Sequence, residues 1–213
     1  MKKEIKPLGF YDYTVVLTYT GMLFACAGIF AVLESNVKMS VYFLMIAGLC
    51  DMFDGAVAST KKRNDDEKRF GIQIDSLADL IAFGVLPGIF SYTLSPSKTV
   101  SGAAAALYIL AALIRLAYFN VLEENRQKTE KHSRRSYRGI PVTVIALVMP
   151  LVYILYLAGV IKTPFAFTIA LIPLGCGFLA PIEIAKPHLT GKVAILLVAA
   201  AEAIGLFVFR NVI

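Results

Sequence analysis

The sequence contains little charge. Asp, Glu, Lys and Arg make up only 17% of its 213 residues, whereas 58% are hydrophobic and the mean hydropathy is +0.70. A soluble domain averages about 25% charged residues. No polar segment is long enough to form a separate soluble domain. These features exclude an ordinary soluble protein and predict one integral membrane domain covering residues 1–213.

Cysteine and histidine are also scarce, with three and two residues respectively. Cys26, Cys50 and Cys176 all lie inside apolar runs, and none belongs to a CxxC pair. This spacing excludes both a disulfide framework and a thiolate metal site. We interpret the cysteines as small buried hydrophobic residues.

Apolar stretches fill most of the chain. A membrane helix needs about 20 mostly apolar residues to cross about 30 Å of hydrocarbon. Seven stretches meet this test: residues 13–33, 39–59, 72–94, 100–122, 140–161, 164–184 and 189–209. They predict an all-α fold, a polytopic transmembrane helical bundle of about seven spans. The range is six to eight, because very short connections separate the last three.

Basic residues concentrate in alternate loops. The connections after the second and fourth spans are rich in Lys and Arg, whereas the opposite loops contain only Lys38, Lys98 and Lys162. The positive-inside rule therefore predicts a cytoplasmic N-terminus and cytoplasmic 60–70 and 123–139 loops. From the compactness of the chain we expect the plasma membrane of a prokaryote. We interpret most individual lysines, including Lys192 after the sixth span, as topology signals that also attract anionic lipid.

Four aspartates interrupt the second and third spans. Asp51 and Asp54 are three residues apart, and Asp75 and Asp79 are four apart, so each pair projects from one helix face. The second span ends and the third begins at the cytoplasmic side. We therefore expect the two pairs to converge there.

Placing these carboxylates in a membrane costs free energy. One Asp at mid-helix costs about 2.5–3.5 kcal/mol, and less near the interface, so four would cost up to about 10 kcal/mol before mutual repulsion. Carboxylates merely solvated or paired with loop lysines are the alternative, but those lysines lie on a more exposed turn. Oxygen ligands suit Mg²⁺ or Mn²⁺ rather than zinc. Two ions on shared carboxylates facing the cytoplasm favour phosphoryl transfer from a pyrophosphate.

The spacing Asp51-x2-Asp54-Gly55-x2-Ala58, then Gly71-x3-Asp75-x3-Asp79, resembles the signature of the CDP-alcohol phosphotransferases. These membrane enzymes move a phosphatidyl or related group between CMP and an alcohol. The resemblance implies that all four aspartates bind metal and that Asp79 is also the general base. It further implies a cytidine pocket formed by Asp51, Gly55, Ala58, Ser59 and Gly71. Ser59 stands where the family has Arg, and we expect Lys61, Lys62 or Arg63 to replace that Arg.

Three further stretches resemble the membrane-spanning phosphatidylserine synthases: "DSLADLIAFGVLP" (75–87), "RLAYFNV" (115–121) and "YRGIPVT" (137–143). This resemblance implies CDP-diacylglycerol as donor, L-serine as acceptor, phosphatidylserine and CMP as products, and a homodimer in the membrane. Arg115, Asn120 and Arg138 are candidates to bind the acceptor or a phosphate. We expect no nucleic-acid partner.

Alternatives remain open at this point. The same chemistry could use inositol phosphate or glycerol phosphate as acceptor, or an archaeal ether-lipid donor. In another functional class, the aspartates could line the ion pathway of a cation-coupled carrier. Carriers usually place such groups near the bilayer midplane between inverted repeats, and no repeat is visible here. Glu202, inside the last span, is either a helix-packing or a dimer contact.

Overall fold

The computed structural model of the protein describes residues 8–129, 136–185 and 189–209. Within these ranges the chain forms eight α-helices: α1 Val16–Leu33, α2 Val37–Ala58, α3 Asp65–Asp79, α4 Leu86–Leu94, α5 Lys98–Thr129, α6 Ile145–Leu157, α7 Phe165–Leu179 and α8 Leu189–Val208. Strand β1, Ser136–Arg138, pairs antiparallel with β2, Glu183–Ala185. The all-α prediction is confirmed, apart from these two three-residue strands.

Five helical segments are long and apolar enough to cross a membrane: Tyr13–Leu33, Val37–Ala58, Asp65–Leu94, Lys98–Asn125 and Thr190–Val208. Two shorter apolar helical segments, Val142–Leu157 and Phe165–Leu179, coincide with the predicted fifth and sixth spans. All seven predicted stretches are therefore helical. The chain is a polytopic integral membrane protein.

Helices α6 and α7 end earlier than their apolar runs. Gly159, with φ +74°, follows the last turn of α6 and closes it in the way glycine commonly ends helices. Ala180 is extended, with ψ 135°, because Pro181 follows it and disfavours a helical conformation. The helices α6 and α7 are therefore shorter than the predicted stretches 140–161 and 164–184, and α7 is only about 22 Å long.

The helices pack through small residues and a central aromatic group. Helix α1 packs on α2, α5 packs on α4 and α7, and α6 packs on α2 and α8. A Cβ on Gly48 would lie 2.9 Å from the Ala146 Cβ, so α2 and α6 approach closely there. Among the largest fully buried side chains are Phe83, Phe90, Tyr108 and Phe167. Close packing of this kind holds membrane helices together, since the lipid is as apolar as their side chains.

A π-helical turn, Leu80–Val85, joins α3 to α4 directly after Asp79. Such turns break the regular hydrogen-bond ladder and are frequent at functional sites. The Tyr108 hydroxyl, buried on α5, donates a 2.7 Å hydrogen bond to the Phe83 carbonyl in this turn. Tyr108 thereby stabilises the irregular backbone that directly follows Asp79.

Candidate active site

Three aspartates meet between the end of α2 and the second half of α3. One carboxylate oxygen from each of Asp51, Asp54 and Asp75 lies within 4.8 Å of the others. Asp54 is 9% exposed, and its Oδ2 accepts a 3.1 Å hydrogen bond from Thr18 Oγ1 on α1. The three carboxylates are therefore close enough to share one ligand.

Asp79 completes the acidic group at the end of α3. Its carboxyl group lies within hydrogen-bonding reach of Asp51, and Asp54 has the same relation to Asp75. Two ionised carboxylates cannot share a hydrogen bond, so each pair requires either a proton or a cation between its members. The ligand atoms on offer are carboxylate oxygens, which fit a hard divalent ion such as Mg²⁺ or Mn²⁺.

The four aspartates open into a cavity of about 610 Å³. Helices α2, α3, α5, α6 and α8 contribute to its wall, together with the segment that precedes α6. One side is acidic, whereas much of the rest is apolar and includes Met45, Leu49, Met52, Leu116, Phe119, Leu147 and Ile195. A volume of this size accommodates a small organic ligand with both a charged and an apolar part.

The residues predicted to bind cytidine divide into two groups. Asp51 and Gly55 line the cavity, and a Cβ on Gly55 would meet no atom within 4 Å. Ala58, Ser59 and Gly71 do not line it. The Ser59 hydroxyl is exposed and donates to the Ala56 carbonyl at 2.6 Å.

Gly71 is covered by the loop that lacks the family Arg. A Cβ on Gly71 would lie 2.8 Å from Arg63 Nη1. Of the three basic candidates to replace the missing Arg, Arg63 is thus the one whose side chain contacts Gly71.

The three predicted acceptor-binding residues occupy different places. Arg115 lines the cavity and is 8% exposed. Asn120 lines a neighbouring groove of about 300 Å³, where its Oδ1 accepts a 2.7 Å hydrogen bond from Ser76 Oγ. The backbone of Arg138 belongs to β1, but its side chain lies outside the described part of the chain. Lys131, Arg134 and Arg135 of the basic loop lie outside it entirely.

Four polar residues of the cavity or the acidic group were not predicted: Thr18, Ser76, Thr143 and Lys192. Thr18 is one of three adjacent hydroxyl-bearing residues in an otherwise apolar helix, and nothing in the sequence distinguishes it from Tyr19 or Thr20. Ser76 lies between Asp75 and Asp79, where its proximity to the acidic group could have been noticed. Lys192 was interpreted as a topology signal, because sequence alone does not show which way its side chain projects.

The loop before α6 reaches the cavity through a backbone contact. Gly139 has φ +76°, and a Cβ there would lie 2.6 Å from the Phe178 carbonyl oxygen. Its N–H donates to the Ile182 carbonyl at 2.8 Å, and the Ile140 N–H donates to the Gly177 carbonyl at 3.0 Å. Only glycine combines this φ with so close an approach. The contact fixes the start of the segment 141–144, which forms part of the cavity wall.

A group of polar contacts ties the residues before α1 to the loop between α2 and α3. Lys61 Nζ lies 2.8 Å from Asp12 Oδ2 and 3.3 Å from Glu67 Oε1. Asn64 and Glu67 form a reciprocal cap that begins α3. The hydrogen bond from Lys61 is the main cause that lowers the pKa of Asp12 to about 2, and the pKa of Lys61 is raised in turn. We call Asp12, Lys61 and Glu67 the loop clasp.

The family model for the CDP-alcohol phosphatidyltransferase sequences matches residues 14–180, more than three quarters of the chain. The chain belongs to this family. The match contains the four aspartates, the π-helical turn and the loop before α6, so the structural features that form most of the cavity lie in the family domain.

Individual relatives carry two names, CDP-diacylglycerol–serine O-phosphatidyltransferase and archaetidylserine synthase. The chain is 33% identical to the CDP-diacylglycerol–serine O-phosphatidyltransferase of Saccharomyces cerevisiae over 53% of this chain and 41% of that protein. It is 29% identical to the enzyme of the same name from Helicobacter pylori over 71% and 60%. It is 29% identical to the archaetidylserine synthase of Methanothermobacter thermautotrophicus over 62% and 55%. The chain spans about half the length of the curated relatives it matches.

Proposed function

We propose that the protein transfers the phosphatidyl group of CDP-diacylglycerol to the hydroxyl of L-serine, giving phosphatidylserine and CMP. The observation that carries this proposal is the convergence of four carboxyl groups at the wall of one cavity inside a member of this family. The names of the yeast and Helicobacter relatives support serine as the acceptor.

The acidic group supports metal-assisted chemistry. Asp51, Asp54, Asp75 and Asp79 would hold two Mg²⁺ or Mn²⁺ ions, which would neutralise the pyrophosphate oxygens and stabilise departing CMP. The cytidine would lie against Asp51 and Gly55, where the backbone of α2 is open. Ala58, Ser59 and Gly71 would then form the outer edge of that subsite.

Asp79 is the proposed general base. It accepts the proton of the serine hydroxyl while the hydroxyl oxygen attacks the β-phosphorus, which bears diacylglycerol. A new oxygen–phosphorus bond forms, and the bond from the β-phosphorus to the bridging oxygen breaks, so that CMP leaves with the electron pair. Positioning lowers the barrier further, because attack becomes intramolecular in effect.

The remaining predictions complete the proposal. The active site faces the cytoplasm, as the basic loops indicate, and the protein forms a homodimer, as the family resemblance implies. Arg115 supports an anionic part of a substrate, since it lies in the cavity wall. Asn120 and Arg138 remain predicted contacts of the acceptor. Asn120 would reach the cavity indirectly, by orienting Ser76, whose hydroxyl donates a hydrogen bond to it.

CMP release tests the reaction directly. Purified protein in detergent with Mg²⁺ or Mn²⁺ should release CMP from CDP-diacylglycerol only when serine is added. Inositol phosphate, glycerol phosphate and an acceptor-free reaction are the comparison arms. Release that depends on another acceptor would overturn the serine assignment, and no release with any acceptor would overturn the enzyme class.

A second donor is favoured by one specific observation. The Methanothermobacter relative is named an archaetidylserine synthase. An ether-linked CDP-lipid should therefore be run beside the diacyl donor with serine as acceptor. Faster CMP release from the ether lipid would mean that the ether-linked CDP-lipid is the donor. The proposed acceptor would remain serine.

A further inference from the structure

The eighth helix contributes a basic residue to the cavity. Lys192 lies in the first turn of α8 and lines the cavity together with Ile195 and Ala199. The spacing of these residues places them on one helix face. The face is basic at the start of α8 and apolar beyond it. Lys192 also lies past residue 180, where the match to the family model ends.

The charge of Lys192 is available to a ligand. Across the described part of the chain, Lys192 forms no ion pair and no hydrogen bond with another residue. It is partly exposed, and it faces the same cavity as Arg115 on α5. Lys61 and Lys98 differ in this respect, since Lys61 binds two carboxylates and Lys98 donates to two backbone carbonyls.

The cavity needs such a cation if it is to admit an amino acid. The proposed metal ions would balance the four aspartates, and the donor pyrophosphate would occupy those ions. The carboxylate of an incoming acceptor would therefore still lack a partner unless a basic side chain lay close to it. An acceptor without a carboxylate would have no such requirement. An ammonium or guanidinium group can supply a charge-assisted hydrogen bond to a carboxylate or to a phosphate.

We propose that Lys192 binds an oxyanion of a substrate in this cavity, either the carboxylate of the acceptor or a phosphate of the CDP-lipid donor. This inference rests on the proposed function, because it assumes that the cavity holds both substrates. Lys192 acts in substrate binding and selectivity and does not transfer the proton.

Steady-state kinetics of Lys192→Gln test the proposal. One lost charge-assisted hydrogen bond corresponds to about 10–100-fold in binding. If Lys192 binds the carboxylate, KM for serine should rise by about this factor while kcat and KM for the donor stay within about threefold. The preference for serine over ethanolamine should then fall by the same factor. If Lys192 binds a phosphate, KM for the donor should rise instead, with every acceptor.

Matched variants separate binding from folding. Lys162→Gln removes the same charge from an exposed loop position away from the cavity and should leave both KM values unchanged. Lys192→Arg should restore most of the lost affinity. Unaltered KM values for both substrates in Lys192→Gln would overturn the proposal, as would an equal effect in Lys162→Gln. If the wild type releases CMP only with another acceptor, the proposed function fails, and the Lys192 comparison is then made with that acceptor and with the donor.

Discussion

Ser91, Ser101 and Thr168 form a hydroxyl cluster on α4, α5 and α7, while the four aspartates lie at the other end of the bundle. Ser91 and Asp79 belong to one continuous helical segment and are about 18 Å apart along it. Both serine hydroxyls lie within 2.9 Å of Thr168 Oγ1, and all three residues are fully buried. This cluster is closed, because its members pair with one another.

The aspartate end is built differently. Its carboxyl groups contact each other, although like charges repel, and they open into a cavity. A buried hydroxyl cluster stabilises helix packing without a ligand, whereas a buried carboxylate cluster needs protons or cations. The difference separates a polar group that serves the fold from one that, in our proposal, serves a reaction.

The largest effect should come from Asp79→Asn. Asparagine keeps the shape but cannot accept the serine proton, so turnover should fall by about 10²–10⁴-fold or more, with CDP-diacylglycerol binding largely retained. CMP release and donor binding measure the two effects. Asp66→Asn, an exposed change on the same helix, should behave as wild type. Turnover like wild type in Asp79→Asn would exclude the base role.

Removing divalent metal should affect only the aspartate end. A chelator should abolish CMP release, and Mg²⁺ or Mn²⁺ should restore it. Because metal binds only the folded protein, it should stabilise wild type by about 2.7 kcal/mol at 100 times its dissociation constant. Thermal unfolding should show this shift in Thr168→Val but not in Asp54→Asn. An equal shift in Asp54→Asn would remove Asp54 from the proposed ligand set.

Gly139→Ala should disturb the cavity wall from a distance. Gly139 and Gly159 have nearly equal positive φ values, +76° and +74°, so alanine should cost about 1–2 kcal/mol at either position. Gly139→Ala should cost more and should raise KM for the donor, because its Cβ would collide with the Phe178 carbonyl, whereas Gly159 has open space. Thermal unfolding and donor KM measure both variants. Equal effects would show that the backbone contact does not position the wall.

These residues also show how far sequence reasoning reaches. The seven apolar stretches follow from local hydropathy, and the pairing of the aspartates follows from helical spacing, so both can be read from the sequence. The early end of α7 was predictable in principle from Pro181. The π-helical turn, the docking of Gly139 on Phe178 and the direction of Lys192 were not, because each depends on contacts between residues far apart in sequence.

The hydroxyl cluster should respond in stability alone. Thr168→Val leaves the Ser91 and Ser101 hydroxyls without their shared partner, so the free energy of unfolding should fall by about 1–2 kcal/mol. Reversible unfolding in mixed micelles measures the change, and KM for both substrates should stay unaltered. Thr99→Val makes the same substitution at an exposed position of α5 and should have almost no effect. A changed KM in Thr168→Val would mean that the two ends of the bundle are coupled.

The smallest effect should come from the loop clasp, which lies beside the aspartate end, at the start of the segment Asp65–Leu94. Asp12→Asn should lower the thermal midpoint slightly, because Lys61 keeps only Glu67 as a carboxylate partner. The pKa of Asp12 is lowered from 3.8 to about 2 in the folded chain, so its contribution is complete above about pH 4 and disappears as the pH falls through 2. The difference in midpoint between wild type and Asp12→Asn should therefore be the same at pH 8 and pH 5. If this difference were smaller at pH 5 than at pH 8, Asp12 would titrate well above pH 4. Lys61 would then not lower the pKa of Asp12.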